Sequence, residues 1–108
     1  MSIGPDTVTA VPEEGCQLAE CLVPGMTTAM AESLGDRVRA EVARSPGPVS
    51  FLGSLLIPED EVLLCLFAGP LTEVHALCQR AGLPFERVLR CVGVGWTNPD
   101  EGRDKADE

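Results

Sequence analysis

The sequence contains no tyrosine and, among its 108 residues, a single histidine, His75. One imidazole cannot supply a His pair for a nitrogen-rich metal centre. The lack of a His–acid pair and of tyrosine also removes the commonest general acid–base arrangements. Lys and Arg number only 8 against 17 acidic residues, for a net charge of −9. So few cations argue against nucleic-acid phosphates and against an anionic membrane surface as partners. No apolar run approaches the roughly 18 residues of a membrane span. Met1-Ser2-Ile3-Gly4-Pro5-Asp6 has neither the basic start nor the apolar stretch of a secretory signal, so a cytoplasmic location is expected.

Cysteine is present but not in metal or disulfide spacing. Cys16, Cys21, Cys65, Cys78 and Cys91 are odd in number, show no CxxC pair and lie inside apolar segments. They read as small buried hydrophobes of a reduced protein. Ser54 lacks the flanking glycines of a nucleophile elbow. Gly93-Val94-Gly95-Trp96 follows a strand but opens no helix, so it is not a dinucleotide fingerprint.

Hydrophobic residues make up 44% and charged residues 23%, which suits one domain with a packed core. The acidity gathers at the ends. Residues 1–14 carry Asp6, Glu13 and Glu14 with no cation. Residues 97–108 carry Asp100, Glu101, Asp104, Asp107 and Glu108 against Arg103 and Lys105. The expected organisation is a polar leader (1–14), a domain (15–96) and an acidic tail (97–108).

Within the domain, the first strand is expected over Cys16–Val23, closed by Pro24-Gly25. A helix follows over Thr27–Arg44, capped by Thr27 or Thr28. Met30, Leu34, Val38 and Val42 draw its apolar stripe, with Arg37 and Glu41 as a solvent-side i,i+4 pair. Ser45-Pro46-Gly47-Pro48 stops it. Val49–Ile57 and Glu61–Phe67 are two strands joined through Pro58-Glu59-Asp60. Leu71–Arg80 is a second helix burying Val74, Leu77, Cys78 and Ala81, with Gly82 at its exit. Arg87–Val94 is the last strand, and Trp96 closes the domain. The class is α+β in the order βαββαβ, the ferredoxin-like plan: a four-stranded antiparallel sheet with two helices on one face.

The uncovered face should be polar, yet the strands are apolar on both sides. Val62, Leu64 and Leu66 alternate with Leu63, Cys65 and Phe67. Phe51, Leu55 and Ile57 alternate with Leu52 and Leu56. Val88, Arg90, Val92 and Val94 alternate with Leu89 and Cys91. A second copy packed sheet to sheet would cover that face, so a homodimer through the open sheet face is expected.

The run Val49-Ser50-Phe51-Leu52-Gly53-Ser54-Leu55-Leu56-Ile57-Pro58-Glu59-Asp60-Glu61 continues with Leu64-Cys65-Leu66-Phe67 and Arg80-Ala81-Gly82-Leu83-Pro84-Phe85-Glu86-Arg87-Val88. Over about residues 49–90 it resembles a family of small, mostly actinobacterial domains of unknown function, some of them described as nickel-binding proteins. The resemblance implies a ferredoxin-like fold assembled as a dimeric α/β barrel, and a nickel site.

Three groups are candidates for chemistry. His75 and Cys78 stand at i and i+3 on the second helix, where an imidazole and a thiolate suit Ni²⁺ or Zn²⁺. Glu59, Asp60 and Glu61 form a carboxylate cluster at the hairpin tip. Glu20 shares an apolar sheet face with Leu18 and Leu22 and is a candidate proton acceptor, with Arg90 as its charge partner. The leading function is a small dimeric binding protein, with nickel or another divalent metal as ligand. The alternatives are a small enzyme of the dimeric α/β barrel type acting on an organic ligand between sheet and helices, and a structural or adaptor dimer.

Overall fold

The computed structural model describes residues 15–94, so the leader, the acidic tail and Trp96 lie outside the described residues. The elements run β1 (Cys16–Leu22), α1 (Thr28–Arg44), β2 (Ser50–Ile57), a 3-10 turn (Pro58–Asp60), β3 (Val62–Ala68), α2 (Leu71–Arg80) and β4 (Arg87–Cys91). The sheet order is β2-β3-β1-β4 with every pairing antiparallel. This is the expected ferredoxin-like βαββαβ fold. The last strand is shorter than expected and ends at Cys91.

Both helices begin and end for local reasons. The Thr27 hydroxyl accepts the Met30 amide at 3.1 Å and caps α1. At the exit of α2 the Leu83 amide returns to the Cys78 carbonyl and the Gly82 amide to the Gln79 carbonyl. That pair of bonds is a Schellman motif with Gly82 in the left-handed region, φ +71°. The motif turns Leu83 back into the core, where it is buried. Arg37 on α1 donates to the Ala81 and Gly82 carbonyls at 3.3 and 2.7 Å, which ties the two helices together at this point.

The core lies between the helices and one sheet face. Phe67, Leu63, Cys65, Cys21 and Ala19 meet Val38 and Leu34 of α1 and Val74, Leu77 and Cys78 of α2. Met30, expected on the apolar stripe, is 40% exposed, and Ala31 takes the buried position instead. The two strand faces are sorted as alternation predicts along β1, β3 and β4. In β2 they are not. Phe51 pairs with Phe67, but Gly53 pairs with Leu66, so Leu52 is looped out as a bulge. Gly53 adopts φ +133°, which a side chain would resist. The bulge moves Phe51 to the helix face with Leu56 and leaves Leu55 and Ile57 on the open face. Phe51 therefore does not share a face with Leu55 and Ile57, contrary to simple alternation. Its ring packs 5.2 Å from that of Phe67.

Candidate functional site: the open sheet face and the helix–sheet cleft

The open face is built by strand alternation. Leu64 and Leu66 of β3 point away from the buried set Leu63, Cys65 and Phe67. Their ladder partners Glu20, Leu18, Leu55 and Gly53 share the face, as do Leu22, Ile57 and Leu89. Leu22, Leu55, Ile57 and Leu89 are all exposed, Leu55 to 61%. Four strands about 4.8 Å apart and roughly seven residues long give a face of order 19 by 23 Å. Contiguous apolar patches of that extent are uncommon on monomeric proteins.

One ion pair interrupts this apolar surface. Glu20 accepts from Arg87 Nε at 2.7 Å, directly across the β1–β4 ladder. Arg90, the expected partner, stands opposite Gln17 on the helix side. The three-residue step from Arg87 to Arg90 reverses the side of the sheet, so only one of the two can reach Glu20.

A cleft of about 480 Å³ opens on the other side, between α1 and the edge strand β2. Its base is Leu56 and Leu63 and its rim carries Glu32, Asp36, Arg39 and Ser54. Arg39 lies over the Phe51 ring at 5.1 Å and 3.5 Å from Asp36.

The spacing from Arg37 assigns Glu41 to solvent, and the structure reverses this. Glu41 is 3% exposed, and it binds Arg44, the Arg80 Nε at 2.9 Å and the Ser45 hydroxyl at 3.2 Å. The two guanidinium groups hold its carboxyl down at about 2. The signal is present in the sequence. Position 41 follows Leu34 by seven and Val38 by three, which is the buried stripe of α1.

The proposed metal donors differ sharply in setting. His75 is exposed, edge-on to Phe85 with ring centres 5.2 Å apart, beside a shallow groove lined by Leu71, Ala76 and Val88. Cys78 is fully buried, and burial pushes its thiol up to about 12. The structure thus seals one donor in the core and leaves the other facing solvent. Among the described residues no group of three or more His, Cys, Asp or Glu side chains is placed to hold one. Glu59, Asp60 and Glu61 are exposed. Glu61 nonetheless serves the fold, because its carboxylate accepts the Gly25 amide at 2.9 Å and fixes the turn after β1. Ser54 sits at the rim of the cleft, and Gly95 and Trp96 of the glycine-rich run lie outside the described residues.

No protein-family model matches the chain, and no curated protein matches it. Among solved structures the fold is similar to that of SCO4226 from Streptomyces coelicolor A3(2). The two share 20% identity over 76% of this chain and 98% of the other, with a TM-score of 0.57. Identity this low carries the fold and nothing further. Among the described residues no helix is long and apolar enough to cross a membrane.

Proposed function

We propose that the chain is a small homodimeric binding protein, with two copies packed through the open faces of their sheets. The supporting observation is that face itself: Leu22, Leu55, Ile57 and Leu89 exposed around Leu64 and Leu66, opposite a face already covered by both helices. A second copy brings a surface of the same size and chemistry, and a two-fold axis sets apolar rows against apolar rows. Sedimentation of the purified chain at about 10 micromolar tests this. A mass twice the 11.4 kDa of one chain is expected; a monomer overturns the reading.

For the ligand, the cleft between α1 and β2 is the better supported position. Its apolar base and mixed-charge rim suit a small organic molecule carrying both an apolar body and a charged group. The nickel reading rests on the family resemblance, and the buried Cys78 beside an exposed His75 gives it no support. Calorimetric titration of tag-free, chelator-stripped protein with Ni²⁺ separates the two. No saturable heat is expected at about 100 micromolar protein, meaning a Kd weaker than about 1 mM. Saturable uptake that His75→Ala abolishes would restore the metal reading.

A further inference from the structure

Cys16 and Cys91 face each other across the β1–β4 ladder. Directly opposed residues of an antiparallel pair have Cα atoms about 4.5–5.5 Å apart and side chains on one side of the sheet. That separation falls inside the roughly 4.4–6.8 Å span of protein disulfides. The two side chains therefore stand as neighbours on the same face of the sheet. Cys16 is 1% exposed, and Cys91 is half-buried.

The other cysteines lack this arrangement. Cys21 stands opposite Leu63, and Cys65 opposite Ala19, so those two are diagonal neighbours. Both are sealed in the core. Diagonal positions lie about 7–8 Å apart, beyond the reach of a disulfide without backbone movement. Cys78 is on α2 and equally buried.

We propose that Cys16 and Cys91 are a redox modification site, converted by a peroxide into a cross-strand disulfide. The Cys91 thiolate attacks one peroxide oxygen. The O–O bond breaks, an S–O bond forms and hydroxide leaves, giving a sulfenic acid at Cys91. The Cys16 sulfur then displaces hydroxide from the Cys91 sulfur as its own proton is lost, so the S–S bond replaces the S–O bond and water departs. Two thiols lose two electrons and hydrogen peroxide becomes two waters. Burial, which raises the Cys16 thiol to about 12, makes the second step the slower one. The bond staples edge strand β4 to the centre of the sheet across most of the chain, the type of loop closure that constrains the unfolded state most. By alternation Cys16 and Cys91 lie on the open face with Leu18 and Leu89, so this chemistry belongs to the chain before a second copy covers that face.

The test uses the full chain, reduced, desalted and treated with hydrogen peroxide, then alkylated and mapped by peptide mass spectrometry. The expected result is the loss of two hydrogens and a linked peptide pair containing Cys16 and Cys91. The thermal midpoint should rise by about 5 °C or more and return on reduction. Cys91→Ser should abolish the linkage. Sulfinic acid at Cys91 without linkage, or a Cys91–Cys91 bond between copies, would overturn the proposal. The mapping of the native sequence is decisive even if a serine variant folds poorly.

Discussion

A single residue can hold a helix pair in place, and Glu41 does so here. Its carboxylate gathers Arg44 from its own helix, Arg80 from α2 and Ser45 from the loop beyond. The consequence for pH follows from the direction of the shift. The folded carboxyl sits at about 2, below its ordinary 4.5. The stabilisation is therefore full above the unfolded value and is lost as the pH falls from there toward the folded one. Glu41→Gln should lower the thermal midpoint at neutral pH, and the gap from the native chain should close in an acid titration below about pH 4. A gap independent of pH would refute the ionic role. At this scale the sequence is only partly legible. The spacing that marks Glu41 as buried also sets it four residues after Arg37, where a surface pair is the simpler reading. Arg87 and Arg90 both suit Glu20 by charge. Only the register, which depends on where β4 starts, selects Arg87.

The elements themselves are largely legible because each carries its own punctuation. Thr27 caps α1, Pro58 opens the 3-10 turn and Gly82 closes α2. Gly82 offers the clearest check. Its φ of +71° falls in the region that L residues resist, and an added Cβ would meet the Arg37 guanidinium at 2.5 Å. Gly82→Ala should destabilise the fold by about 1–2 kcal/mol in urea unfolding with an unchanged slope. An effect near zero would mean that the Schellman turn is not what fixes the end of α2. The bulge at Leu52 is not legible. Period-2 alternation has no mark for an extra residue, and Gly53 reads equally well as a small side chain in a regular strand.

On the scale of the whole molecule, the two-sided apolarity of the strands is the property that sequence conveys best. Helices cover Leu63, Cys65 and Phe67, and the same strand offers Leu64 and Leu66 to the other side. Leu64→Lys places a charge at the middle of the open face without touching the helix side. The expected outcome is a folded monomer by sedimentation and circular dichroism. A variant that still dimerises would place the contact elsewhere on the surface. The candidate site is less legible than the fold, because a cleft between α1 and β2 arises from two segments that share no motif.

The order of the strands also governs how the molecule is made. β1 lies between β3 and β4, so the first strand synthesised receives its second neighbour last. Glu20 and Arg87 are separated by 67 residues along the chain. The β2–β3 hairpin, closed by a three-residue turn, can form while synthesis continues. A nascent chain halted before Arg87 therefore keeps one backbone edge of β1 unpaired, a template for strands of neighbouring nascent chains. The five residues of β4 are what covers that edge of β1 in the finished fold.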